Sequence, residues 1–409
     1  MRPRRLFGWG AYAALLLAAV LATRPALALD PPSRVSVLTM GPGDHPFTRF
    51  GHNAVLLEWG DGGRGQNAVY NFGTFEFDGL RGVNDFMAGR FRYWLSVTDL
   101  EHTLRAYAAD NRSLTSQELT LTPEERGELY RALTDNARPE HRYYDYDYYQ
   151  DNCSTRVRDA LDRVLSGALE RSVVGPGRLS FRQHTLRLTG DTWWLYFGLD
   201  IALGTPTDRP TTRWQELFLP QELHDALSRA TRDLNGQRRP LVHHEAQLLR
   251  ADRRPLPLEP PARRPAFAGL GLALGGALAA LGRAARKRPA GRVLFGAVTA
   301  LVGLALGLLG LALLIFGASK HWAAHANPSL LGCPPWALGL AVLGIGFALG
   351  SPHSARRLRW LLGACALGAA ALLLLSLALP GHEALRMALL FLPLWAGWLW
   401  GARLSQLAR

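Results

Sequence analysis

The 409-residue chain predicts an α+β domain carried outside a membrane, followed by an α-helical transmembrane bundle, and three observations lead there. First, residues 260–409 hold 14 basic residues and one acid, Glu383, whereas residues 1–259 balance at 32 of each. The formal net charge of +13 therefore belongs to the C-terminal part, and the N-terminal part has no excess of cations from which to build a nucleic-acid groove. Second, the composition changes near residue 265 to Ala, Gly and Leu, with five apolar segments at 266–282, 293–317, 336–350, 360–379 and 388–402. Third, Arg2, Arg4 and Arg5 precede an apolar run at 6–22 and the small-residue site Ala26-Leu27-Ala28, which is the layout of a secretory signal. Twelve Trp, 16 Phe and 11 Tyr supply a packed core and exclude a disordered chain.

The expected organisation is a signal peptide at 1–28, an exported domain at 29–252, a linker at 253–265 with five Pro and four Arg, and a membrane domain at 266–409 of about five helices. An uncleaved anchor is the alternative for the first segment. Ten of the 14 C-terminal basic residues follow the first, third and fifth apolar segments, so the positive-inside rule puts the C-terminus inside and the domain at 29–252 outside. The first and third segments are short against the roughly 20 residues a span needs, which leaves four spans or five. Of the three cysteines, Cys153 falls in the exported domain, Cys333 in an external loop and Cys365 inside the fourth segment, too few for a disulfide scaffold.

Within the exported domain, β-branched and aromatic runs at 35–40, 53–59, 68–72 and 91–97 are bounded by Gly and Pro clusters and read as strands. Helices follow. Thr122-Pro123-Glu124-Glu125 is a capping box with Pro at the first helical position, opening a helix to about Asn136, and a second helix is expected from Cys153 to Leu165.

The chemistry centres on Asp151-Asn152-Cys153. A thiol in the first turn of a helix feels the positive end of the macrodipole and free N–H groups, which favour a thiolate and can hold an oxyanion. Such a thiol is either a nucleophile or an inert buried filler. The partner base is expected from Phe50-Gly51-His52, where His52 opens an apolar strand; a histidine capping the sheet is the alternative. Arg156 stands three residues before Asp159 and either pairs with it along the helix or faces a substrate phosphate or carboxylate. The aromatic run at 143–149 either lines an acyl groove or forms an edge strand. His243-His244-Glu245 lacks a third ligand at metal-binding spacing, so no metal and no cofactor are expected.

A Gly-His strand followed about 100 residues later by Asn-Cys at a helix start resembles the permuted papain-like thiol fold of NlpC/P60-like and lecithin retinol acyltransferase-like enzymes. More closely, the exported domain resembles the Lnb-like N-terminal periplasmic domain family through Phe50-Gly51-His52, the segments at 69–75, 92–97 and 146–159, Asn111-Arg112-Ser113, and the stretch from Leu203-Gly204 to Phe218-Leu219-Pro220. These cover nearly all of residues 35–227. The resemblance implies a lipoprotein intramolecular transacylase, embedded in the cytoplasmic membrane and acting on lipoprotein or phospholipid. Cys153 would then be the nucleophile and His52 the general base, with Asn71 orienting the imidazole and Tyr70 its competitor, and with Asn152 and Arg156 in support. His321 and Asn327, in a loop between the second and third segments, resemble a membrane-proximal pair of the same family, although Lys320 stands where an acid is expected. A cell-wall amidase or peptidase of the NlpC/P60 kind and a non-catalytic envelope assembly module are the competing functions.

Overall fold

The computed structural model describes residues 30–60, 65–76, 78–378 and 383–405. The proposed signal peptide and the C-terminal Arg409 lie outside the described residues.

A seven-stranded antiparallel sheet forms the centre of the exported part, in the order β6-β4-β3-β2-β1-β5-β9. Its strands are β1 (Arg34–Met40), β2 (His52–Glu58), β3 (Asn67–Thr74), β4 (Arg92–Thr98), β5 (Leu114–Leu119), β6 (Tyr143–Asp145) and β9 (Val242–Leu249). A separate hairpin joins β7 (Thr231–Leu234) to β8 (Gln237–Pro240). Side chains alternate between the two faces of each strand, and the sequence obeys that period. Val55, Leu57, Tyr70 and Phe72 face one core, while Ala54, Leu56 and Val69 face another on the opposite side.

Helices cover both faces. Helix α1 (Gly79–Met87) connects β3 to β4, and α2 (Leu100–Ala109) packs Leu100, Leu104 and Tyr107 on the Ala54 face. Helices α3 (Pro123–Asn136) and α4 (Cys153–Val164) lie on the Val55 face, where Leu129, Leu133, Val157 and Leu161 are buried. The expected capping box of α3 is present, with Thr122 Oγ1 accepting from Glu125 N and the Glu125 carboxylate accepting from Thr122 N. Next come α5 (Phe181–Thr189), α6 (Trp193–Ala202) and α7 (Pro220–Arg229).

Among the described residues, five helices are long and apolar enough to cross a membrane: Arg264–Lys287, Pro289–Gly317, Ser329–Ala348, Pro352–Ala378 and Leu385–Leu404. The two segments that looked short in sequence extend beyond their apolar runs, the first through Arg283 to Lys287. The third begins at Ser329 and is interrupted at Pro334-Pro335 before continuing from Gly339 to Ala348. Cys333 consequently sits inside the bundle, fully buried, and not in an external loop. All three cysteines are free.

The register places the site at the end of the sheet nearest the bundle. Leu249, Leu114, Met40 and His52 form one row across β9, β5, β1 and β2, and the chain leaving Leu249 reaches the first span at Arg264. The opposite end of the sheet carries Glu58, Arg34, Leu119 and the β7–β8 hairpin that precedes Val242.

Polar contacts clamp the exported part to the bundle. The Arg386 guanidinium, in the fifth span, holds the Asp200 carboxylate of α6 with both its Nε (2.7 Å) and Nη2 (3.0 Å), and Arg182 of α5 donates to the same carboxylate at 3.2 Å. Arg182, Asp200 and Arg386 are all buried. The loop between the second and third spans adds Asn327, whose Nδ2 donates to the carbonyls of Ile201 and Ala202 at 2.8 and 3.0 Å.

Candidate active site

Gly51 sets the position of His52. Its φ of +84° is a left-handed conformation, and a Cβ there would lie 2.8 Å from the Met40 carbonyl oxygen, so glycine is what lets the turn bring His52 in as the first residue of β2. Cys153 is set by the start of α4. Asn152 caps that helix: its Oδ1 accepts from Thr155 N at 3.0 Å, Thr155 Oγ1 accepts from Asn152 N at 2.7 Å, and its Nδ2 donates to the carbonyls of Tyr148 and Phe218, both at 2.9 Å. The helix start is also tied to the sheet. Ser154 Oγ donates to Asn53 Oδ1 at 2.5 Å, and Asn53 Nδ2 donates to Thr39 Oγ1 at 2.9 Å, so a buried polar chain runs from β1 through β2 into the first turn of α4.

This framework brings Cys153 and His52 together. Cys153 is 6% exposed, and burial pushes its thiol up. The charge of His52, hydrogen bonds from His52 and the Asn53 N–H, and the Tyr146 hydroxyl outweigh that burial and lower the thiol from its ordinary 9 to about 7. Tyr146 Oη stands 4.0 Å from Cys153 Sγ. Burial and the neighbouring thiolate hold the Tyr146 phenol well above its ordinary range, so it stays a protonated donor. Its ring stacks on Tyr93 with centroids 4.1 Å apart, and Tyr93 Oη meets Tyr148 Oη at 3.0 Å. Gly73, at φ +89°, makes room for this ring, since a Cβ would lie 3.1 Å from it. The arrangement suits nucleophilic acyl chemistry: an activated thiol, an adjacent imidazole, and N–H donors at a strand start and a helix start.

The other residues singled out in the sequence fall in different places. Asn71 and His52 line the same cleft, of about 360 Å³, together with Ser96, Thr98 and the rings of Phe47 and Phe75. Asn71 Nδ2 donates to Val69 O at 3.3 Å and Thr98 Oγ1 at 3.2 Å. Tyr70 is on the opposite face of β3, its hydroxyl 3.3 Å from Thr134 Oγ1 of α3, and so cannot orient His52. Arg156 does not pair with Asp159. It reaches back over the helix start to grip Asp151 through Nε (2.6 Å) and Nη2 (2.8 Å) and lies 3.6 Å over the Tyr144 ring, while Asp159 accepts from Arg158 at 2.7 Å. Arg156 is therefore a brace for the segment that enters α4. The aromatic run divides: Tyr143–Asp145 is the edge strand β6, whereas Tyr146 turns inward to the thiol. His243 and Glu245 engage Glu118 (3.3 Å) and Gln117 (3.0 Å) across β5–β9, and among the described residues no group of three or more His, Cys, Asp or Glu is placed to hold a metal ion.

His321 donates through Nε2 to the Phe86 carbonyl of α1 at 2.6 Å. Trp322, next to it, donates to Asp147 Oδ2 at 2.6 Å, and the other oxygen of that carboxylate accepts from the N–H groups of Tyr149 and Gln150 just ahead of the helix cap. Lys320 takes Asp145 as its partner at 3.5 Å. The loop thus braces the approach to Cys153. Sequence reasoning did not single out Tyr146, Asn53, Ser154 or Trp322 as site residues. Asn53, Ser154 and Trp322 were each adjacent to a residue that it did choose, and Tyr146 lay inside the aromatic run.

A thiol–imidazole site on an antiparallel sheet, joined to membrane helices, is the class that fold and site define. Residues 24–188 match the family of Lnb N-terminal periplasmic domains, so the chain carries such a domain ahead of its five apolar helices and is a membrane protein with a periplasmic domain. The match ends before the stretch from Leu203 to Pro220. No curated protein and no solved structure matches the chain.

Proposed function

We propose that this protein is a cysteine acyltransferase at the outer face of the cytoplasmic membrane, moving an acyl chain on lipoprotein or phospholipid through a thioester on Cys153. The observation that carries this reading is the lowered Cys153 thiol beside His52 at the capped start of α4. The order of a strand histidine before a helix cysteine also fits the permuted papain-like scheme. His52 takes the Cys153 proton, and the thiolate attacks an ester carbonyl. The N–H groups of the first turn of α4 and the Asn53 N–H receive the negative charge on the carbonyl oxygen. The ester C–O bond then breaks, and the departing alkoxide takes the proton back from His52, leaving a thioester. A lipoprotein N-terminal amine attacks the thioester carbonyl and gives a proton to His52. The C–S bond breaks, an amide is formed, and the sulfur is reprotonated.

Five apolar helices favour a lipid substrate over peptidoglycan, because a two-chain lipid stays in the bilayer and anchoring the domain there replaces search with proximity. The test is expression in cells unable to N-acylate lipoproteins by their usual route, with mass spectrometry of the N-terminal lipopeptide. Loss of one glycerol acyl chain with gain of one on the amine supports transacylation. An unchanged lipopeptide removes the lipoprotein as substrate.

A further inference from the structure

Helix α1 leaves an apolar face uncovered beside the site. Leu80 is 89% exposed and Val83 45% exposed, and both lie on the face shared by Met87 at helical spacing. The next ring along, Phe86, lies nearly parallel to Phe316 in the last turn of the second span, with centroids 6.5 Å apart, and 5.6 Å from the His321 ring. The exposed face therefore continues from the outer end of a membrane helix, which fixes α1 at the level of the bilayer surface. Arg81 and Arg90 flank it with exposed guanidinium groups, each 3.9 Å from the Asp85 carboxylate and so sharing one acid between two cations, which leaves a net positive rim beside a shallow apolar insertion.

Behind α1 the rings form a ladder. Phe86 meets Phe91 at 6.4 Å, Phe91 meets Phe75 at 5.6 Å, and Phe75 meets Phe47 at 5.1 Å. Phe75 and Phe47 line the cleft that holds His52. A series of aromatic contacts thus runs from the end of the second span to the cleft that holds His52, whose far side carries Arg112 and His102. Phe86 at one end and Phe75 with Phe47 at the other offer an acyl chain apolar contact on leaving the bilayer, with buried Phe91 packed between them.

We infer that α1 is a membrane-interface helix whose Leu80–Val83 face inserts into the outer leaflet, and that the phenylalanine ladder behind it is the route by which an acyl chain passes from the bilayer to the thiol. The route rests on the acyl-transfer reading; the insertion does not. Two measurements on the full chain in lipid nanodiscs separate them. For the first, an environment-sensitive fluorophore is placed at Leu80→Cys in a Cys153→Ser background, where the remaining cysteines, Cys333 and Cys365, are buried in the bundle. Nitroxide-labelled phosphatidylcholine should quench it strongly, while the same label at Asn235→Cys, in the β7–β8 turn at the far end of the sheet, stays unquenched. Equal quenching at both positions overturns the insertion.

The second measurement compares acylation of Cys153 by membrane lipid with acylation by a short, water-soluble p-nitrophenyl ester in the Leu80→Asp/Val83→Asp variant. Lipid-derived acylation should fall about tenfold or more, the factor matching the lost burial of one such apolar side chain, while the soluble ester reacts within about twofold of the parent rate. An equal fall with both donors means that the substitutions disturb the site itself and overturns the route. If the parent protein is acylated by neither donor, the acyl-transfer reading fails and the route with it, and the quenching result still decides the insertion.

Discussion

Replacing Asn152 by Ala removes three interactions at once, and the structure sets the size of the effect. The cap on Thr155 N is worth about 1 kcal/mol, and the buried donations to the carbonyls of Tyr148 and Phe218 leave acceptors whose loss of a partner costs about 1 kcal/mol or more each. The expected destabilisation of the periplasmic domain is about 3 kcal/mol, or a fall in Tm of about 6–12 °C for a domain of this size. The thiol should respond in parallel. A frayed first turn no longer presents aligned N–H groups or the end of the macrodipole to Cys153, so its pKa moves back up toward the ordinary value. Asn152→Ser keeps a capping oxygen but loses both carbonyl contacts, and should fall between Ala and the parent. The assay is thermal unfolding of the detergent-solubilised full chain, read by pulse proteolysis of the periplasmic domain, with iodoacetamide labelling of Cys153 against pH alongside. Stability of Asn152→Ala within about 0.5 kcal/mol of the parent, with an unmoved labelling midpoint, would refute the assignment of Asn152 as the residue that positions the thiol.

Further predictions concern charge. Labelling of Cys153 by iodoacetamide should reach half its maximal rate near pH 7 in the folded protein and near pH 9 after unfolding; a single midpoint near 9 in both would show that His52, the Asn53 N–H and Tyr146 do not stabilise the thiolate. Because the folded thiol is depressed, its ionisation stabilises the fold fully above about pH 9, and that contribution is lost as the pH falls through about 7. Cys153→Ala should therefore cost more stability at pH 9 than at pH 6. Arg386→Met strips the buried Asp200 of its bidentate partner and should destabilise the joint between periplasmic domain and bundle by about 3–5 kcal/mol, seen as faster protease cleavage of the 253–263 linker. An unchanged cleavage rate would mean that Arg182 alone suffices for Asp200.

The parts of this structure that were legible in the sequence are those fixed locally. Thr122 to Glu125 and Asn152-Cys153 announce helix starts through side chains that bond to backbone three residues away, and β2 and β3 announce themselves by apolar side chains at a period of two. What stayed hidden depends on distant partners. β9 is an edge strand with a largely exposed, polar sequence, and becomes a strand only by pairing with β5 about 130 residues earlier. Arg386 reads as one more cation at a membrane segment until Asp200, 186 residues away, is beside it. Arg156 shows the same limit at short range. Helical spacing proposes Asp159, but Asp151, outside the helix, offers a fork-shaped grip with Tyr144 beneath, and that geometry is invisible to a periodic pattern. In the site, Cys153 and His52 were readable as residue types at element starts, whereas the contact of Tyr146 with the thiol needed the turn made at Gly73 and the stacking on Tyr93.

In the proposed reaction Cys153 carries an acyl group donated by membrane lipid, with His52 as its base. The most direct measurement is intact-peptide mass spectrometry of the Cys153 peptide after brief incubation of the full chain with native membranes and acid quenching. The expected result is a mass increase of one fatty acyl chain on Cys153, removable by neutral hydroxylamine, absent in Cys153→Ser and strongly reduced in His52→Ala with the fold retained. An unmodified Cys153 peptide alongside intact transfer activity, or undiminished activity in Cys153→Ser, would contradict it.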